Sequence, residues 1–216
     1  MPRTVVFDLG NVLVQWNPRR LYEELIPDAD ELERFFDTVI THDWIRAQDA
    51  GRPFDEGIAL LAGRFPHYAA EIRAFWERWE VMVPGPIDAT VAILDELRRQ
   101  ETPLYALTNW SHETFPIARP RFPFFEWFRG IVVSGEIGLV KPDARIYRHL
   151  LETYGLAAED CVFIDDSAAN VAGAEAVGLT GLHFQSPERL RRELTELGLL
   201  PVSSVAPRSS SPAAGG

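Results

Sequence analysis

The chain has 216 residues, 46% of them hydrophobic, and carries 32 acidic against 21 basic side chains for a net charge of −11. That length supports one sizeable core, or a core with a smaller insertion, and the acidic balance removes any general attraction for nucleic acid or an anionic membrane surface. The single cysteine, Cys161, lies inside the apolar run Cys161-Val162-Phe163-Ile164, so it is expected to be a buried structural thiol rather than a disulfide partner or a nucleophile.

The chain enters a strand almost at once. Val5-Val6-Phe7 is a short apolar run closed by Asp8, and Gly10 is expected to allow a sharp turn directly after it. No signal peptide is read ahead of this strand, and no apolar run approaches the ~18 residues of a membrane span; a cytoplasmic protein is the expectation. From Arg19 to about Met82 the pattern is helical. Tyr68, Ile72, Phe75, Trp76, Trp79 and Met82 recur at three- and four-residue spacing, Phe35, Phe36, Val39, Ile40 and Trp44 behave similarly, and Gly51-Arg52-Pro53 separates the two stretches. Residues 15–83 therefore read as a small helical insertion whose aromatic faces pack, with Trp16 and Trp44 at loop edges as candidates to face a ligand. Pro84-Gly85-Pro86 marks the return to the main domain, which spans 1–14 and 84–200. There, strands at about 103–107, 130–133, 161–164 and 180–184 alternate with helices, among them 144–154 and 168–177. Ser186-Pro187 supplies a hydroxyl cap and a first-turn proline for the last helix. Such alternation predicts an α/β fold, a parallel sheet covered by helices on both faces. The Ser-, Pro-, Ala- and Gly-rich stretch 201–216 is predicted to be disordered.

Parallel strands bring their carboxyl ends to one edge, where ligands of open α/β sheets bind. Asp8, Thr108-Asn109 and Asp165-Asp166 each close a predicted strand, and Lys141 precedes Pro142 in a loop before a helix. Facing carboxylates repel and resist joint ionisation. A divalent cation between them relieves this, and a few hard oxygen ligands suit Mg²⁺ with water and a substrate phosphate completing its shell. Thr108 and Asn109, expected just ahead of a helix N-terminus, form a natural anion site with Lys141. Asp8 can attack phosphorus to give an aspartyl-phosphate.

These motifs resemble the haloacid dehalogenase-like (HAD) hydrolase superfamily, subfamily I. Asp8-Leu9-Gly10-Asn11-Val12, Leu107-Thr108-Asn109, Lys141-Pro142 and Asp165-Asp166-Ser167-Ala168-Ala169-Asn170 match its four motifs in order. The resemblance implies a Rossmann-like core, a helical cap over residues 15–83, Mg²⁺, and phosphatase activity on a small phosphate ester. It implies Asp8 as nucleophile and metal ligand, the Gly10 carbonyl and Asp166 as further ligands, and Asp165 and Asn170 supporting the metal from behind. Lys141 is implied to neutralise Asp8 and the phosphate, and Thr108 with Asn109 to hold phosphate oxygens. Two departures stand out. Many members carry a second aspartate, acting as acid and base, where this chain has Gly10, and an acid where it has Asn170. The Asp-Leu-Gly-Asn form is similar to a sugar-phosphate branch that includes glucose-1-phosphate phosphatases. It leaves the leaving-group acid to water, a cap residue or His112. The alternatives are a metal-independent 2-haloacid dehalogenase using the same aspartate, and a non-catalytic binding module on the same fold. The dehalogenases differ in having an aromatic residue at the Gly10 position and Ser-Asn in the fourth motif.

Overall fold

The computed structural model describes residues 3–202; positions 203–216 of the expected disordered tail lie outside the described residues. The sheet starts with β1 (Thr4–Phe7), whose four residues are all buried. Between β1 and α6 lie five α-helices: α1 (Arg19–Leu25), α2 (Ala29–Thr38), α3 (His42–Asp49), α4 (Phe54–Arg64) and α5 (Ala69–Glu77). Among the described residues this stretch adds no strand. The rest follows as α6 (Asp88–Arg99), β2 (Leu104–Thr108), α7 (Phe115–Ala118), β3 (Gly130–Val133), α8 (Ser134–Ile137), α9 (Ala144–Tyr154), β4 (Cys161–Asp165), α10 (Ala168–Glu175), β5 (Thr180–His183) and α11 (Pro187–Glu196). The five strands are all parallel, in the order β3-β2-β1-β4-β5. This is the α/β architecture read from the sequence, with strand ends displaced by one residue at β2, β4 and β5.

Period-two alternation divides the core between the two faces of the sheet. Val5, Phe7, Leu104, Ala106, Val162 and Ile164 face a cluster that includes Leu94 and Leu97 of α6 and Leu190 and Leu194 of α11. Val6, Tyr105, Leu107, Cys161 and Phe163 face Ile146, Tyr147 and Leu150 of α9 and Ala174 of α10. Cys161 is buried and unbridged. Central β1 is apolar on both faces because helices cover both. The strand order also places the carboxyl end of β1 at a switch point: β2 and β3 run outward on one side, β4 and β5 on the other. A crevice opens there between diverging connections.

Helices α1–α5 pack through aromatic pairs, with ring centroids 4.8 Å apart for Tyr22–Phe35, 5.1 Å for Trp44–Phe75 and 5.0 Å for Phe54–Trp76. Their buried side chains join the cluster on the β1–Phe7 face rather than forming a separate one. The turn after β1 differs from expectation. It is Asn11, not Gly10, that takes the left-handed backbone (φ 52°), and a Cβ at Gly10 would meet nothing within 4 Å. Asparagine tolerates that conformation through its short polar side chain. Its Oδ1 accepts from Trp16 N at 3.0 Å, so the turn does not need a glycine.

Gly135 of α8 sits where two connections cross: a Cβ there would lie 2.4 Å from His112 N and 2.8 Å from Trp110 O, both backbone atoms. Gly135→Ala is therefore expected to cost about 1–3 kcal/mol, as overpacking does. Gly63→Ala, in α4 with no atom within 4 Å of the new Cβ, is expected to gain about 0.5–1 kcal/mol through helix propensity. Chemical denaturation midpoints moving in opposite directions would bear this out; equal shifts would refute it.

Candidate active site

Phe7 pairs with Ala106 on one side and Ile164 on the other. The next residue, Asp8, therefore stands level with Leu107 and Asp165. Lys141 arrives from the connection between α8 and α9 and is buried, 2% exposed. Its Nζ lies 2.9 Å from Asp8 Oδ1 and 2.7 Å from Asp165 Oδ2, and donates to Leu107 O at 2.9 Å. An ammonium has three protons, and all three are used. The Asn109 amide grips the backbone of the same lysine: its Oδ1 accepts from Lys141 N at 2.8 Å, and its Nδ2 donates to Lys141 O at 3.2 Å. Thr108, the last residue of β2, is 1% exposed beside them.

Thr108 and Asn109 do not precede a helix. The next helix, α7, begins only at Phe115 and has four residues, so the expected anion site on a helix N-terminus is absent there. Local side-chain partners take the backbone groups instead. Trp110 N donates to Ser134 Oγ at 2.9 Å, and Glu113 N to Ser111 Oγ at 3.2 Å.

Asp165 is fully buried and held on both oxygens. Asn170 Nδ2 donates at 3.0 and 3.1 Å, and Ser167 N at 2.8 Å. Ser167 also caps α10 by accepting from Asn170 N, which fixes the Asn170 side chain over Asp165. Asp166 is exposed beside them. Carboxylate oxygens of Asp8, Asp165 and Asp166 all lie within 4.8 Å of one another. Three carboxylates against the one ammonium of Lys141 give a formal charge of −2. Burial pushes the Asp8 carboxyl up, opposed by Lys141 and reinforced by Asp165. Burial and then Asp165 push Asp166 up as well. This deficit and these hard oxygen donors fit a divalent cation such as Mg²⁺. Asp165 is saturated by its partners, and Asp8 Oδ1 already accepts from Leu9 N at 2.7 Å and from Lys141. Among the described residues Asp8 Oδ2 accepts no hydrogen bond, and Asp166 is exposed beside the Asn11 side chain.

Beside this cluster lies a cavity of about 80 Å³. Gly10 and Asn109 are among its lining residues; the rings of Trp16, Phe54, Phe75, Trp79 and Trp110 form much of its wall. Most of its polar side chains are already engaged. Gln48 donates to Trp44 O and accepts from Arg52 Nε, and Thr114 Oγ1 accepts from Trp110 Nε1 at 3.0 Å. Asp49, the last residue of α3, also lines it. Burial pushes its carboxyl up to about 7, against the pull of Lys141 and the Ser111 N–H.

Of the two tryptophans singled out in the sequence, Trp16 lines the cavity. Trp44 does not: it is buried, with Nε1 donating to Gly57 O at 3.1 Å. His112 is outside the lining, and its Nδ1 is buried with no hydrogen-bond partner among the described residues. Sequence reasoning missed Asp49. Its signal was the pair Gln48-Asp49, one turn after Trp44-Ile45, which puts two polar residues on the apolar face of α3.

No helix among the described residues is long and apolar enough to cross a membrane. A family model described as "haloacid dehalogenase-like hydrolase" matches residues 2–178. The sesquiterpene phosphatase astK of Aspergillus oryzae is 28% identical, over 90% of this chain and 96% of its own. The HAD family enzyme bt-2542 of Bacteroides thetaiotaomicron, solved in complex with magnesium and inorganic phosphate, superposes with a TM-score of 0.65 at 20% identity, covering 86% of this chain and 95% of its own. The L-2-haloacid dehalogenase RSc1362 superposes with 0.62 at 21% identity, covering 83% and 85%; at these identities the structural likeness establishes the fold, which both chemistries share. With the acid-closed strands, the buried lysine and a family match across most of its length, the chain belongs to the haloacid dehalogenase-like hydrolases.

Proposed function

We propose that the chain is a Mg²⁺-dependent phosphatase of small phosphorylated metabolites, acting through an aspartyl-phosphate on Asp8. The observation that carries this is the −2 cluster around a fully bonded, buried Lys141, which suits a phosphate bound together with a divalent cation. Asp8, the Gly10 carbonyl and Asp166 would hold the metal, with Asp165 and Asn170 supporting them. When bound, Mg²⁺ supplies charge neutralisation for the phosphate and the carboxylates. Asp8 Oδ2, unencumbered while Lys141 and Leu9 N hold Oδ1, is the attacking atom. Thr108 and Asn109 orient the phosphate, and Lys141 balances charge on the transferring group. Residues 15–83 act as the cap, since α3, α4 and α5 provide Gln48, Asp49, Phe54 and Phe75 to the cavity wall and so shield the reaction from water.

The cavity wall bears on the leaving group. A sugar presents several hydroxyls that need partners, whereas this wall is mostly aromatic rings and polar groups already paired within the protein. The sugar-phosphate expectation therefore gives way to the monophosphate of an apolar alcohol. The likeness to a protein named sesquiterpene phosphatase supports that choice. The dehalogenase alternative is disfavoured by the same −2 cluster, which would repel the carboxylate of a 2-haloacid.

Three outcomes are expected. Phosphate release from a panel of isoprenyl, 2-phenylethyl and glucose 1-phosphates should require Mg²⁺, stop with EDTA, and favour the apolar esters; chloride release from 2-chloropropionate in EDTA would instead establish the dehalogenase. Asp8→Asn should abolish turnover on every ester, and residual turnover above roughly a thousandth of wild type would remove Asp8 as nucleophile. Lys141→Ala should lose turnover even at saturating substrate. It should also lower stability by about 3–5 kcal/mol, because two buried carboxylates lose their partner. Calorimetry and kinetics on the same sample check both, and unchanged kcat would sink the role of the lysine.

A further inference from the structure

One proton remains unassigned in the chemistry above. As the P–O bond breaks, the leaving oxygen of an ordinary alcohol needs a proton, because an alkoxide is too basic to depart unaided at neutral pH. The strand-end cluster has no acid to give it. Lys141 commits its three protons to Asp8, Asp165 and Leu107 O, Asp165 is held on both oxygens, Asp8 is the nucleophile, Asp166 is assigned above to the metal, and Gly10 has no side chain. The cavity that receives the leaving group contains one carboxyl, that of Asp49.

We propose that Asp49 is the general acid of the reaction, protonating the leaving alcohol from the wall of the cavity that Gly10 and Asn109 also line. This rests on the phosphatase reading of the site. Asp49 is placed by direct docking of α3 on the core. Ser134 Oγ donates to Asp49 O at 2.5 Å while accepting from Trp110 N at 2.9 Å, which ties the end of α3 to the chain leaving β2. Two residues on, a Cβ at Gly51 would lie 3.0 Å from Gly135 O, so the backbones nearly touch. The start of α4 is tied to the same loop, with Phe54 N donating to Glu113 Oε2 at 2.6 Å. The backbone of Asp49 is thus fixed, and its carboxyl lines the cavity with the Ser111 N–H beside it and, among the described residues, no side-chain hydrogen-bond partner. The cavity it lines is walled in large part by aromatic rings, and burial raises its pKa to about 7, which keeps a proton available near neutrality.

The step balances. Asp8 Oδ2 forms a bond to phosphorus, and the P–O bond to the alcohol breaks with its electron pair on the leaving oxygen. That oxygen takes the Asp49 proton and departs as a neutral alcohol. Asp49, now a carboxylate, regains a proton from the water that hydrolyses the aspartyl-phosphate.

The test compares two esters in single turnovers with enzyme in excess and Mg²⁺ present, so that release of alcohol or phenol reports the first step alone. 2-Phenylethyl phosphate needs an acid; 4-nitrophenyl phosphate, whose phenolate is stable, does not. Asp49→Asn should slow release of 2-phenylethanol by at least about 100-fold and release of 4-nitrophenolate by no more than about threefold. Asp49→Ser provides the same comparison if asparagine lowers the melting midpoint. In the Asp49→Asn background, Gly10→Asp places a carboxyl in the same cavity, where a Cβ meets nothing within 4 Å, and should recover at least about tenfold on the alkyl ester. Equal losses on both esters, or no loss on the alkyl ester with an active wild type, would overturn the role of Asp49 and leave the phosphatase standing. A wild type inactive on both esters would bring down the phosphatase and Asp49 together.

Discussion

The arrangement of this protein turns on a buried ammonium. Lys141 Nζ sits between Asp8 and Asp165, with Leu107 O as its third acceptor and the Phe163 ring 5.4 Å away. Burying a lysine between two acids is not an economical way to stabilise a fold, since desolvation of the ions cancels much of their attraction. The surrounding sequence is nevertheless committed to it. β1 and β4 bring the two acids into register, and the Asn109 amide holds both the N–H and the carbonyl of the lysine. Asn170 and Ser167 pin the far side of Asp165. The result is a charge arrangement short of two positive charges, the state that a phosphate-handling site with a divalent cation would complete.

The fold was legible because it is written in short-range patterns. Apolar runs of four or five residues closed by acids or a Thr-Asn pair are strands, and helical periodicity covers the rest. The Ser186-Pro187 opening of the last helix reads directly as a cap, and Ser186 Oγ accepts from Arg189 N. Where local chemistry has two equivalent solutions, the sequence was less informative. A turn was legible after Asp8, but either Gly10 or Asn11 could take the left-handed conformation, and the hydrogen bond that chose Asn11 comes from Trp16, five residues on. Thr108-Asn109 reads as a helix opening until Lys141, 32 residues away, takes the asparagine amide. Asp49 was the least visible of all. An acid at the end of an amphipathic helix is ordinary, and only the approach of α3 to Ser134 and Trp110 puts it in a cavity with Gly10.

These observations divide the site by origin. The anion-handling groups come from the ends of parallel strands, whose backbone is fixed by ladder pairing on both sides. The cavity proposed for the leaving alcohol is lined by residues of α3, α4 and α5 (Gln48, Asp49, Phe54 and Phe75 among them) together with Trp16, Trp79 and the chain leaving β2, and α3 and α4 are joined to the sheet side by few polar links near the site: Ser134 to Asp49, and Glu113 to Phe54. A change of ring in that wall alters which alcohol fits without touching the Lys141 network. A change at a strand end would disturb a saturated set of buried ion pairs. Closely related chains could therefore share the strand-end motifs while differing in substrate. Asp49 lies on the boundary: its backbone is tied to the core, while it lines the cavity. That position lets a single residue couple proton delivery, which every alkyl ester requires, to the wall that selects among them.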